Sequence, residues 1–347
     1  MTAPASPRLP PPPASDPTPV YRHRDGLYAA DLVTAGLVSL DVFTWLDRHP
    51  SDLAGLCAGL GIHARPADAM ITLFAAMDLV VRDGGTIRLT ALGREHFVAD
   101  SPYSLRAYYA SFRERPVCRD LLEVLRTGKP AGWASTKPND WLTAMRDPAF
   151  AAGFTAAMDS RGLYLGPAAA RAVDMAGRRA LLDIAGGSGI YACAFADQHP
   201  QLAATVFERP PVDAVAARAI EARGFTDRVR VQGGDMLRDP LPGGHDVHLI
   251  SNVLHDWDLP AVDRILAASA AALAPGGLLV IHDAHLNAQK TGPLPVAAYS
   301  VMLMHGTEGR CYSVAEMFDR TAAAGFRDQA FVETAGDRSL VTARKPA

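Results

Sequence analysis

Residues 181–192 read "LLDIAGGSGIYA": a short apolar run carrying one acid, a tight cluster of glycines, then residues able to open a helix. Glycines between a strand and a helix let backbone amides approach a ligand closely, at the C-terminal edge of a parallel sheet. The cluster lacks the spaced GxGxxG of a dinucleotide site, and its acid, Asp183, lies inside the strand before the loop. The next apolar run, "AATVFE", ends on Glu208, 25 positions after Asp183, where a carboxylate can accept both hydroxyls of a ribose. A third run ends in "GGDM", residues 233–236, where Asp235 can accept from an adenine amine while Met236 packs on the ring face. Asp183, Gly186, Gly187, Gly189, Glu208, Gly234, Asp235 and Met236 are thus the candidate ligand-binding set. No Lys or Arg flanks the loop to meet a pyrophosphate, so the ligand implied is a nucleoside with a neutral or cationic tail.

The same rhythm runs from residue 179 onward. "ALLDIA", "AATVFE", "VRVQGGD", "DVHLISNV" and "GLLVIHDA" alternate with helical stretches, which argues a mainly parallel sheet with helices on both faces. Two closing runs, "QAFVETA" and "SLVTARK", are near enough to form an antiparallel pair at one edge. Upstream, "LVTAGLVSLDVFTWL" repeats apolar residues at helical spacing, and "SDLAGLCAGLGI" opens on Ser51 as a cap and closes on glycine. "RPADAMITLFAAMDLVVRDGGTIRLTALGREHF" then reads as a helix and a hairpin turning at Asp83–Gly85. Helix, helix, helix and hairpin is the order of a winged helix. Its third helix, "ADAMITLFAAMDLV", has none of the Arg, Lys, Asn or Gln side chains that read base edges. Surface so apolar must be buried, so dimerisation is the expected role. The expected division is a disordered proline-rich tail over 1–20, a winged-helix-like dimerisation domain over 21–100, a helical linker and substrate-pocket region over 101–178 with a loop around "GKPAGWASTKPNDW", and a ligand-binding α/β domain over 179–347.

Composition narrows the partners. The 347 residues, 49% hydrophobic and 20% charged, describe a globular body with room for more than one domain. A net charge of −3 offers no basic footprint for phosphates, so nucleic acid is not an expected partner. No run reaches the roughly 18 uninterrupted apolar residues of a spanning helix, and the N-terminus lacks a signal region, so no membrane is expected and the cytoplasm is the expected compartment. Cys57, Cys118, Cys193 and Cys311 are scattered without a CxxC pair, which suggests free thiols.

"DIAGGSG", "VFE", "GGDM", "NVLHDWD" and "APGGLLVIHD", in that order and spacing, resemble the S-adenosylmethionine-dependent O-methyltransferases of small molecules, of the plant caffeic acid and bacterial natural-product types. The resemblance runs from about residue 30 to the end. It implies a class I methyltransferase fold, with a Rossmann-like sheet and a winged-helix-like N-terminal domain, a tight homodimer through that domain, S-adenosylmethionine as cofactor and a small-molecule acceptor. Gly186, Glu208, Asp235 and Met236 match the family's cofactor contacts. Ser251 stands where family members often hold the cofactor with a lysine.

Methyl transfer from a sulfonium is an in-line displacement that leaves one proton to be removed, a task suited to histidine. His255 of "NVLHDWD" matches the family's general base, and Asp283 matches an acid that orients it. A second orienting acid of the family is replaced by Cys311 in "EGRCYS". Asp256 can cap the following helix or accept from the cofactor. Met158, Tyr108, Phe112, Phe154, Met302, His305 and Arg310 are the candidate substrate contacts, Arg310 through an acceptor carboxylate. The reading is O-methylation of a phenolic or hydroxylated natural product. The alternatives are carbon methylation, either of an electron-rich ring or of a 2-oxo acid with Zn or Fe held by His255 and His305, and an inactive ligand-binding regulator. No metal belongs to the main reading.

Overall fold

The computed structural model describes residues 9–131 and 141–347. Part of the expected tail (1–8) and most of the expected loop near residue 135 lie outside the described residues. Leu9 is buried and the Tyr164 hydroxyl donates to Asp16 at 2.9 Å, so the chain is anchored before a helix begins at Thr18. The expected tail to residue 20 is thereby shortened.

The chain forms two compact units. The first comprises Pro19–Trp141 and His285–Ser313; the second comprises the residues up to Thr18, Leu142–Ala284 and Val314–Ala347. The expected boundary at 179 is corrected twice. The helix Pro148–Ala172 already belongs to the second unit, and residues 285–313 return to the first. Their helix, Leu294–Gly306, is apolar all round and therefore needs cover on every face.

In the first unit, helices Val42–Arg48, Leu53–Leu60 and Ala64–Ala76 precede strands β1 (Val80–Asp83) and β2 (Thr86–Leu89), the winged-helix order. Gly84 and Gly85 turn the hairpin with φ of 54° and 86°, the two positive angles a type I′ turn requires. The cap of Leu53–Leu60 is Asp52, accepting from the Gly55 amide at 2.8 Å, and not Ser51. The run "LVTAGLVSLDVFTWL" is divided: a π-helical stretch, Ala35–Ser39, precedes Asp41 at φ 53°, whose carboxylate takes the Arg106 guanidinium at 2.7 Å. Pro66 to Phe74 of the third helix are buried within this single chain, so its apolar surface is covered by its own unit, Leu294–Gly306 included, and is not left for a second copy.

The second unit holds β3 (Ala180–Ile184), β4 (Ala203–Glu208), β5 (Val229–Gly233), β6 (Val247–Ser251), β7 (Leu278–Asp283), β8 (Arg327–Glu333) and β9 (Ser339–Arg344) in one sheet of order β5-β4-β3-β6-β7-β9-β8. The first five strands run parallel; β9 is antiparallel to β7, and β8 to β9. Each strand expected from the sequence is present. The chain starts in the middle of the sheet at β3, moves outward to β5, then returns to β6 on the other side of β3. That reversal creates a crevice beyond the C-terminal ends of β3 and β6, where ligands of open α/β sheets bind.

Candidate active site

The glycine cluster forms the turn between β3 and the helix Ile190–Gln198, with φ of 55°, 59° and 74° at Ala185, Gly187 and Gly189. Room is tight at Gly186, where a Cβ would lie 2.5 Å from the Asp183 carboxylate. Asp183 is wholly buried, and burial pushes its carboxyl up to about 7 against the pull of the Ala192 amide. Glu208, at the tip of β4, accepts from the amide of Gly187 at 2.9 Å and from that of Arg209 at 2.8 Å, one on each oxygen. Each oxygen keeps a further acceptor position, the chemistry a ribose diol needs. Burial pushes this carboxyl up to about 7 as well, opposed by those two amides. After β5, Gly234 passes so close to Phe207 that a Cβ would meet its ring at 2.2 Å, and Asp235 accepts from the Leu237 amide at 2.9 Å. Met236 is half-buried beside it. Backbone cradle, paired acceptor and acid-plus-thioether clamp stand on three adjacent strand ends and suit the adenosyl group of S-adenosylmethionine.

Beyond β6 a short 3₁₀ turn, Leu254–Asp256, carries His255, which is 4% exposed. Its Nδ1 lies 2.5 Å from Oδ1 of Asp283 at the end of β7. A carboxylate only accepts, so Nδ1 bears the proton and Nε2 presents its lone pair. Asp256 is not the cap of the next helix, a role taken by Asp258 with the Ala261 amide at 3.0 Å. Its Oδ1 instead stands 3.7 Å from Nε2 of His255, and burial pushes its carboxyl up to about 6, His255 and Arg161 opposing the rise and Asp283 adding to it. His282 points the other way from Asp283, as alternation in a strand requires: its ring nitrogens lie 3.1 Å from Ser251 Oγ and 3.2 Å from Thr334 Oγ1. Ser251, in the place of the family lysine, is thus bound into a polar network.

The remaining candidates separate. Met158 and Phe154 lie on the helix Pro148–Ala172, where the Met158 sulfur is 3.5 Å from the Arg161 guanidinium. Tyr108, Phe112, Met302, His305 and Arg310 belong to the first unit. Tyr108 is 77% exposed, because the short helix Arg106–Ala110 buries no residue, and Phe112 is 37% exposed; neither is a buried wall within this chain. Arg310 is buried and pairs with Asp68 at 3.2 Å, so its expected role toward an acceptor carboxylate gives way to a structural ion pair. His305 stands 3.3 Å from Asp120 and edge-on to Tyr28, and no group of three metal-binding side chains is arranged for an ion among the described residues. Cys311 is buried, and its amide donates to Ser300 Oγ at 3.1 Å.

Sequence reasoning missed Asp159, which accepts from the hydroxyl of Ser188 in the glycine turn and meets Arg223 at 2.5 Å. It also missed Asn252, at φ 54° just before the His255 turn. Only the taste of Asn for positive φ hinted at the second, and nothing local marked the first.

Among the described residues no single helix is long and apolar enough to cross a membrane. The O-methyltransferase domain family matches residues 119–327. The 3-hydroxy-5-methyl-1-naphthoate 3-O-methyltransferase of Streptomyces sahachiroi is 32% identical over 325 residues, 91% of this chain and 91% of its own. An O-methyltransferase family 2 protein of Planctomyces limnophilus, solved in complex with apigenin, is 32% identical with a TM-score of 0.87, covering 98% of this chain and 99% of that one. PigF, solved with SAH, is 26% identical with a TM-score of 0.61, covering 96% and 100%. The chain therefore belongs to the O-methyltransferase family and is an S-adenosylmethionine-dependent methyltransferase.

Proposed function

We propose that the enzyme methylates a phenolic hydroxyl on a flat aromatic natural product, with His255 as general base and Asp283 as its orienting acid. The single observation that carries this reading is the 2.5 Å approach of Asp283 to Nδ1, which makes Nδ1 the donor and Nε2 the nitrogen able to take a proton. Nε2 takes the phenolic proton as the oxygen becomes nucleophilic, and Asp283 stabilises the resulting imidazolium. When bound, S-adenosylmethionine supplies an electrophilic methyl group. Gly186, Glu208, Asp235 and Met236 hold it, and the Met158 helix borders the acceptor. The naphthoate of the Streptomyces enzyme's name and the apigenin of the Planctomyces complex are both aromatic, which supports the acceptor class. Metal-assisted carbon methylation lacks support, since the matched family and the Streptomyces relative are O-methyltransferases by name. The regulator reading lacks it too, since the matched family and the Streptomyces relative carry the names of enzymes.

Two further elements belong to the proposal. The enzyme acts as a cytoplasmic homodimer joined through its first unit, whose Val20, Leu27, Tyr103 and Tyr108 are all more than half exposed; light scattering on the purified protein tests this. For the chemistry, His255→Ala is assayed with apigenin and with a hydroxynaphthoate. The expected result is a fall in kcat of about 10²–10⁴ with cofactor affinity retained. Retention of the wild-type rate would remove His255 from the role of base.

A further inference from the structure

The turn that presents His255 is gripped by the C-terminal hairpin. β6 ends at Ser251, and Asn252 then adopts φ 54°, the left-handed region that side chains rarely occupy and that Asn tolerates best. Its amide is bonded at both ends. Nδ2 donates to the Tyr191 hydroxyl at 3.0 Å and to Ser251 Oγ at 3.1 Å, while Oδ1 accepts from Nε of Arg338 at 3.1 Å. The backbone amide of Asn252 donates to the carbonyl of His282, the residue before Asp283, at 2.8 Å.

Arg338 is 4% exposed, and a guanidinium so buried must be met by acceptors; Asn252 takes Nε and the Gly336 carbonyl takes Nη1 at 3.2 Å. It immediately precedes Ser339, the first residue of β9, which sits opposite Asp283 in the ladder with β7. In the order β6-β7-β9, Arg338 thus reaches across the end of β7 to the end of β6. Two consecutive residues of the hairpin serve the two halves of one pair: Ser339 lies opposite Asp283, and Arg338 holds the turn that leads to His255.

We propose that Arg338 is a positioning residue for His255, acting through Asn252 to clamp the left-handed turn and so to set the imidazole against Asp283. What the alignment accomplishes rests on the reading of His255 as base; the alignment itself does not, and the two are tested apart. In the full-length protein with ring-¹⁵N histidine, Arg338→Met shifts the His255 resonances, assigned by loss in His255→Gln, and Arg338→Lys restores them, because an ammonium still reaches the Asn252 oxygen. With apigenin, Arg338→Met lowers kcat about 10–100-fold and changes KM for the cofactor less than about 3-fold. In a His255→Ala background the same change has no further effect.

Unmoved His255 resonances in Arg338→Met would overturn the proposal, as would an equal loss of rate in the His255→Ala background, which marks a general structural effect. If Arg338→Met fails to fold, Asn252→Gly stands in: glycine permits the turn but lacks the anchor, so the same ring shift is expected and its absence overturns the inference. A wild-type rate in His255→Ala alone sinks the base assignment and leaves the spectroscopic test intact.

Discussion

His255 Nδ1 and Asp283 Oδ1 stand 2.5 Å apart although 28 residues separate them in the chain, because β6 and β7 are parallel neighbours and both residues lie at or just beyond the same end. Asp283 Oδ1 also accepts from the Ala284 amide at 2.7 Å, which holds the carboxylate in place for the ring. Asp283→Asn replaces an obligate acceptor with a group that can donate and so permits the wrong tautomer. We expect a drop in kcat of about 10–100-fold or more, with cofactor affinity unchanged, as read by single-turnover rates and calorimetry.

Glu208, as the proposed ribose acceptor, should make cofactor binding depend on pH. Its carboxyl is raised from 4.5 to about 7, and ribose hydroxyls donate to the charged form. As pH falls from about 8 to about 6 the charged fraction drops about tenfold, and the affinity for S-adenosylmethionine should drop with it. Calorimetry across that range checks this; Glu208→Gln should bind weakly and show no such slope.

Asp183 should make the cofactor-free protein less stable as pH rises. The unfolded chain ionises at about 3.8 while the folded carboxyl, raised by burial, resists until about 7. Between those values the unfolded state binds fewer protons, so stability is lost with rising pH and levels off above 7. Asp183→Asn removes the effect, and its advantage over wild type should grow by roughly 2–3 kcal/mol between about pH 5 and pH 8, measured by urea unfolding.

Gly234 leaves no room for a methyl group, since its Cβ would lie 2.2 Å from the buried Phe207 ring. Gly234→Ala must displace either the ring or the "GGDM" turn. A loss of about 1–3 kcal/mol of stability and weaker cofactor binding are expected, by thermal unfolding and calorimetry.

Asp68 is a buried carboxylate of the first unit, met by Arg82 at 2.9 Å, Lys290 at 2.9 Å and Arg310 at 3.2 Å. Burial alone would raise its carboxyl, but the three cations hold it below its ordinary value. Its contribution is therefore present above about pH 4 and lost as pH falls through the lower folded value. Asp68→Asn removes the negative charge that Arg82, Lys290 and the buried Arg310 share and should cost about 3–5 kcal/mol near neutrality, measured by chemical denaturation.

The strand-tip geometry of the candidate cofactor site was legible because each piece is local. "LLDIAGGSG", "AATVFE" and "GGDM" each join a strand to the residue at its tip, and a parallel sheet sets such tips side by side whatever the detail of packing. The surroundings of the candidate acceptor contacts were far less so. Arg310 carried the right charge for a carboxylate, but its partner is Asp68, 242 residues earlier, and no spacing rule joins them. Ser51 was a good cap by type, and Asp52 took the place by geometry.

The amino-acid sequence by itself determined the succession of strands and helices, the glycine turn, the acids at the strand tips and the histidine after β6, since alternation, glycine and residue type act over a few neighbours. Only the tertiary structure decided that residues 285–313 return to the first unit, that Asp159 meets Ser188 and Arg223, and that Arg338 holds Asn252. Those are contacts between side chains far apart in the chain. Their formation depends on which polar groups burial leaves facing each other, and that is settled by the packing of the whole chain and by no local pattern.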